Sequence, residues 1–410
     1  MFVLCIFPNE ILEIIFNFCD VYTLSQISLV CIQFNIVAKY ILMKKSEHLL
    51  VTNQKSEKFR ERCKPQLSLY QNSIFITNYN WLHEGYKKRQ IYNVKEDYID
   101  NVFNNTCVQM TKNKIYFSCN NKLLAYNRAE NGTIETGKKI LSTDNALIKS
   151  FALCDNYIIS GDINGVINRW KIKNNQNDFF FERLKIHNLH YEIQQINATL
   201  QHIIAGSGNS IKILKYTDDR KGCTVENEIL CGGAKSYMQS ISFDPIGTKF
   251  AASSVNHTDF YCKSSFLIYD IDKSYQVINK TCDDCCQQLL WEDPHTILMC
   301  FENSIKKMDI RTFDIVRTWD SSKYDRLFCC SSDNMYTFMT GHRMVVLWDQ
   351  RQSVTIQTYV VDKMYSGINS LEFDSTHMYA ATEYGLFELN FAGKDHFDHK
   401  EIKKFFGNFY

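Results

Sequence analysis

The chain has 410 residues, 45% of them hydrophobic and 22% charged, and a formal net charge of +1. That length buries a large core with room for more than one domain, and so balanced a charge excludes a global basic field for nucleic acid or anionic lipid. Four prolines among 410 residues, with no Ser/Gly-rich tract, exclude a long disordered linker.

The sixteen cysteines are scattered, and some are adjacent, as in Cys285-Cys286 and Cys329-Cys330. Several sit in hydrophobic, strand-like runs. They read as reduced, mostly buried thiols of an intracellular protein, cytoplasmic or nuclear or both.

In chain order, "MFVLCIF" opens like a secretory signal. It has no positive n-region, and Pro8, Glu10 and Glu13 interrupt the apolar stretch. No apolar run of about 18 residues follows, so no membrane span is expected. Residues 7–37, "FPNEILEIIFNFCDVYTLSQISLVCIQFNIV", carry apolar residues at helical spacing. Ile11, Leu12, Ile15 and Phe16 make one stripe. A second helix is predicted from Thr23, as N-cap, through Leu24 and Ile27, and a third stretch carries Val30, Phe34 and Val37. About forty residues cannot bury such stripes alone. They must lean on the rest of the chain, on a copy of themselves, or on another protein.

Residues 44–66 are mixed in charge and read as a solvated spacer. "NWLHEGYKKRQIYNV" (80–94) sets Trp81, Leu82 and Tyr86 beside Lys87, Lys88 and Arg89. It reads as a strand or helix clamped onto the C-terminal part of the chain rather than a phosphate site.

From residue 107 onward one unit recurs. Its clearest part is a hairpin, as in "KIYFSCNNKLLAYN", "HIIAGSGNSIKILKY" and "MYAATEYGLFELN". Each hairpin closes on a large apolar residue: Tyr126, Trp170, Leu214, Tyr269, Met308, Trp348 and Leu389, in steps of 44, 44, 55, 39, 40 and 41. The long step marks an insertion around 254–265. Three strands and a less regular fourth per ~40 residues make a β-propeller blade. One such sheet has two faces and cannot cover both, so blades must stack. Seven closing residues predict seven blades, with "SIFIT" (73–77) as a strand available to close the ring.

No motif carries chemistry. "CDDCC" (282–286) holds a C-x-x-C spacing but no second pair at zinc-finger distance. "GSGNS" (206–210) sits at a hairpin turn, where positive φ is wanted, rather than ahead of a helix as a phosphate cradle. No cofactor, metal or catalytic residue is expected.

Two resemblances rest on these residues. "LWDQR" (347–351) and the weaker "MDIR" (308–311) resemble the Trp-Asp endings of WD repeats, although most units lack the Gly-His and the Trp of that pattern. Residues 7–38 resemble an F-box in Phe7-Pro8, Glu10-Ile11-Leu12, Ile15-Phe16, Leu24, Leu29-Val30-Cys31 and Phe34, although "YILMKK" stands where an aromatic is usual. Together they resemble F-box/WD-repeat proteins, most of all the dactylin branch. The resemblance implies a mainly β fold: a small α-helical F-box domain at 1–43, a linker at 44–92 and a seven-bladed WD-repeat propeller at 93–410. It implies the non-catalytic substrate-recognition subunit of an SCF ubiquitin ligase; a WD-repeat scaffold without ligase function is the alternative. The F-box residues Phe7, Pro8, Ile11, Leu12, Ile15, Phe16, Leu24, Leu29, Val30, Cys31 and Phe34 would bind the Skp adaptor, and through it cullin. Asp162, Asn164, Asn209, Asn303, His342, Arg343 and Tyr384, at turns between second and third strands, would face a protein substrate. Arg343 alone in these turns suits a phosphate, so recognition is expected not to depend strictly on phosphorylation. Neither nucleic acid nor membrane is an expected partner.

Overall fold

The alternating runs after residue 106 pair with their neighbours in sequence. In the computed structural model, which describes residues 7–53, 55–64, 67, 73–94, 106–142, 146–174, 179–217, 222–258, 261–321, 326–362 and 366–393, they form seven four-stranded antiparallel sheets. Six blades are continuous in sequence: 107–142, 148–188, 195–230, 237–282, 286–320 and 329–359. The seven closing residues all lie in third strands and are all buried. The insertion in blade 4 is a lengthened hairpin, with strands Lys249–Thr258 and Tyr261–Asp270 paired along their length.

Blade 7 is composite. Its first three strands lie within 368–390, and its fourth is Lys87–Asn93, paired from Lys87↔Asn390 to Asn93↔Gly385. This strand, within the stretch expected to be linker, closes the ring. The expected closing strand "SIFIT" does not: residues 73–77 begin a helix, α5 (Ser73–Leu82). The closure depends on Gly385. Its φ is +136°, and a Cβ there would lie 1.9 Å from the Tyr92 carbonyl oxygen. Gly208, in the "GSGNS" turn, also has a positive φ of +57°.

Apolar faces of adjacent blades pack together, as where Phe266 and Ile268 of blade 4 meet Trp291, Ile297 and Met299 of blade 5. Part of the Trp hydrogen bonding of WD repeats survives in two blades. Trp170 Nε1 donates to Ser160 Oγ and Trp348 Nε1 to Thr340 Oγ1, each at 3.0 Å. A different network links first strand to first strand around the axis. Val108 N donates to Ser370 Oγ across the closure. Gln109 bonds both Phe151 O and Leu153 N. Ile196 N donates to Ser150 Oγ, Asn197 Nδ2 to Ile241 O, and Leu289 N to Ser240 Oγ. Cys330 N donates to Gln288 Oε1, and Cys329 Sγ donates to Ile368 O. Every blade junction carries one such bond, each worth about 1 kcal/mol.

Ahead of the ring lie α1 (Asn9–Asn17), α2 (Val21–Ile27), α3 (Ile32–Ser46) and α4 (Glu57–Arg62). Asp20, not Thr23, caps α2: its carboxylate accepts from Thr23 N at 2.6 Å. Cys31 caps α3 through Sγ and the Phe34 N–H. Residues 44–66 are not a solvated spacer, since Leu50, Val51 and Phe59 are buried against blades 6 and 7.

Among the described residues, Cys285 is disulfide-bonded, so the expectation of reduced thiols fails there. The other described cysteines, including Cys282 and Cys286 of "CDDCC", are free. No cluster of three His, Cys, Asp or Glu among the described residues could hold a metal ion. No described helix is long and apolar enough to cross a membrane.

Candidate functional site

The helical unit has a core of its own. Leu12, Phe16, Leu24, Phe34, Val37, Ala38, Ile41 and Leu42 close on one another, and Ile74 and Phe75 of α5 complete the cluster. Phe16 and Phe34 meet edge to face, with centroids 5.1 Å apart. Four residues expected to face a partner, Leu12, Phe16, Leu24 and Phe34, are therefore interior. Each large side chain buried there contributes roughly 1.5–3 kcal/mol to the unit's own fold. Cys31 is half-buried.

The other expected contacts, Phe7, Pro8, Ile11, Ile15, Leu29 and Val30, are exposed. Sequence reasoning missed Ile14, Phe18, Tyr22, Ile32, Ile36, Tyr40 and Met43, which are exposed as well. Of the large apolar side chains that the described structure exposes, twelve lie within residues 7–43 and ten in all the rest. On α3 they form a strip, Ile32, Ile36, Tyr40 and Met43, opposite the buried Phe34, Val37 and Ile41. Gln33 Nε2 donates to Phe7 O (2.9 Å) and Asn9 Oδ1 (3.1 Å), which holds the start of α1 against the start of α3. Large clustered apolar exposure of this kind marks an interaction surface.

α5 joins this unit to the propeller. Its start packs in the helical core and its end in the core of blade 7, where Trp81 is fully buried. Trp81 Nε1 donates to Ser375 O at 2.9 Å, and Asn80 Nδ2 to Phe391 O at 2.6 Å. Asn53 Nδ2 bonds Asp333 Oδ2 at 3.0 Å. α4 adds charged contacts. Arg62 pairs with Glu372 at 3.3 Å, and Arg128 Nη1 donates to the carbonyls of Arg62, Thr111 and Lys112. Burial pushes the Glu372 carboxyl up, against the pull of Arg62. Arg128 also pairs with Asp374, and both are fully buried. Burial works to raise Asp374, but Arg128, His377 and main-chain N–H groups overcome it and hold the carboxyl low.

These attachments reach the ends of first and third strands, which lie on the same side. Asp333 follows Cys329–Ser332, and Ser375 follows Ile368–Phe373. The starts of the first strands surround the opposite mouth of the channel, where a cavity of about 640 Å³ opens. The turns between second and third strands lie on that same side, as the pairing of Ile148 with Asp162 and of Cys329 with Gly341 requires. Asn164, Asn303 and Arg343 are exposed there, and Asn209, His342 and Tyr384 half-buried. Asp162 is buried: its Oδ1 accepts the N–H groups of Asn164 and Val166, so it shapes the turn instead of facing a partner. The His342 ring meets Phe328 edge to face, with centroids 4.6 Å apart.

The chain thus carries a helical unit with an open apolar surface on one end of a ring and a polar cavity at the other. The F-box domain family matches residues 4–45. The F-box/WD repeat-containing protein 4 of Mus musculus is 24% identical over 303 residues, which span 69% of this chain and 70% of that protein. The WD40 β-propeller domain of Doa1 superposes with a TM-score of 0.53 at 13% identity, over 74% of this chain and 96% of that one. The computationally designed Ika8 protein gives 0.51 at 10% identity, over 74% and 99%. These two likenesses speak for the fold alone. Fold and matches define the class: an F-box joined to a seven-bladed WD-type propeller. The chain carries an F-box domain at its N-terminus and is homologous to F-box/WD repeat-containing protein 4.

Proposed function

We propose that this chain is the substrate-recognition subunit of an SCF-type ubiquitin ligase, working in the cytoplasm or nucleus. The F-box binds the Skp adaptor and through it cullin; the far end of the propeller holds a protein substrate. The subunit performs no covalent step. It supplies proximity, bringing a substrate lysine to a charged conjugating enzyme. The observation that carries this reading is the exposed apolar strip on a helical unit whose own core is already complete. The F-box match over the same residues supports the Skp adaptor as its partner. Within the class, the long blade 4 hairpin and "MDIRTFDIVRTWD" favour the dactylin branch.

The test is capture of purified Skp adaptor by the wild-type chain and by the double variant Leu29→Asp/Ile32→Asp. Both residues are strongly exposed, at 78% and 83%, so the variant should keep its melting temperature. Capture by the wild type alone is the expected result. Failure of the wild type would overturn the reading in favour of a propeller scaffold outside the ligase.

A further inference from the structure

We infer that the channel mouth takes an uncharged, unphosphorylated stretch of extended polypeptide. The inference deepens the receptor reading above, naming the class of substrate segment, and rests on it for the assumption that this mouth is where substrate sits.

The cavity of about 640 Å³ lies within the range of specific ligand sites, about 300–1,000 Å³. Its wall is made of amides and hydroxyls, among them Gln109, Gln194, Gln195, Asn197, Gln239 and Gln288. Among the described residues, Lys149 and Glu192 are its charged lining residues, and they neutralise each other at 3.2 Å. No arginine among the described residues lines it. A phosphate carries up to about two negative charges and wants bidentate cationic partners. Within the described lining it would have to break the Lys149–Glu192 pair to obtain one, and burying it otherwise carries a desolvation penalty.

Gln109, Asn197 and Gln239 already donate from their amides within the ring, whereas Gln194, Gln195 and Gln288 suit a peptide main chain, whose carbonyls can accept from their amides. Several are already oriented. Gln194 Oε1 accepts from Gly208 N (3.1 Å) and Met238 N (2.7 Å), Gln288 Oε1 accepts from Cys330 N (2.7 Å), and Gln195 Oε1 accepts from Ser150 Oγ (3.4 Å). With each oxygen fixed, the Nε2 group of the same amide serves as a donor for a carbonyl. The wall is thereby preorganised, which lowers the entropic cost of binding. The helical unit docks at the opposite ends of the same strands, so the mouth stays open.

The experiment pans displayed random dodecapeptides against the full chain, beside a second library with phosphoserine fixed at the centre. Unphosphorylated sequences without acidic residues at their centre should be enriched. A labelled peptide from that set should lose at least about tenfold in affinity when phosphoserine replaces its central residue. It should lose as much on Gln195→Trp, which fills the lumen, or on Gln239→Trp should the first variant not fold. Lys149→Ala/Glu192→Ala should leave its affinity within about twofold. Enrichment of phosphorylated or acidic peptides, no enrichment, or binding indifferent to both tryptophan variants would overturn the inference. Adaptor capture is measured on the same preparations. Its failure alone sinks the ligase reading, and failure of peptide selection alone sinks this one.

Discussion

The Trp81 indole stacks on the Phe391 ring, with centroids 3.5 Å apart and planes 14° apart. Trp81 ends the helix that completes the F-box core, and Phe391 follows the last propeller strand. Tyr359 of blade 6 donates its hydroxyl to the Trp81 carbonyl at 2.5 Å. The two parts are therefore one packed body at this seam. Trp81→Ala should destabilise the chain by about 3–5 kcal/mol, read by urea unfolding. It should also expose 79–86 to protease while the F-box core, which includes Ile74 and Phe75, stays protected. Unchanged cleavage would show that α4 and residues 50–53 suffice.

Leu12→Asp/Phe16→Asp should unfold the helical unit, because both side chains are interior. A carboxylate there has no partner in an apolar cluster. Circular dichroism should report lost helix. The exposed pair Leu29→Asp/Ile32→Asp should leave the spectrum unchanged and remove adaptor capture alone. Loss of helix in both variants would sink the distinction.

Gly385→Ala should weaken ring closure. The residue combines φ +136° with a Cβ position against the Tyr92 carbonyl, so the closing strand would have to shift. Because the site is incompatible with a Cβ, a loss above about 1 kcal/mol is expected. Amide exchange should rise first in 87–93; uniform exchange would contradict the account.

Arg128→Ala should cost about 3–5 kcal/mol, because it strands a buried carboxylate, Asp374. Arg128→Met/Asp374→Asn should cost less than the sum of the two single changes. A double-mutant cycle with zero coupling would refute the pairing.

Burial holds His377 near a pKa of about 4, despite Asp374 nearby. Its folded pKa lies below its unfolded one, so the unfolded chain takes up the proton first. The neutral ring contributes stability above about pH 6.5, lost as pH falls towards 4. Buried Glu372 and Glu388 have raised pKa values and oppose this trend at its acid end. The comparison with His377→Gln isolates the ring: the wild type should lose more melting temperature between pH 7 and 5 than the variant.

The repeat was legible because a buried residue closes every third strand at nearly constant spacing. Ring closure was not. In Lys87–Asn93 the first four residues are exposed on an edge strand, so no alternation reaches the sequence. "SIFIT" carries β-branched residues that suit a strand, yet Ile74 and Phe75 are claimed by the F-box core. Tertiary packing overrode local preference there. In the F-box, helical spacing located the stripes but not their direction. α1 is apolar on both sides, with Leu12 and Phe16 inward and Ile11, Ile14 and Phe18 outward. Spacing alone cannot separate a core face from a partner face. For Asp162, the preference of Asp for turns and the expectation of a binding role name the same residue type, and only its burial separates them.

The composite seventh blade fixes an order of events at the ribosome. Lys87–Asn93 emerges well before its partner Gly385–Asn390. The seat of Trp81 includes Phe391, still later. A nascent chain therefore carries its apolar helical unit unanchored until the seventh blade has been made. A product cut short before this point has neither a closed ring nor a docked F-box, and stays open to chaperones and proteases. Closure of the ring and anchoring of the helical unit arise in one step, when Lys87–Asn93 meets Gly385–Asn390.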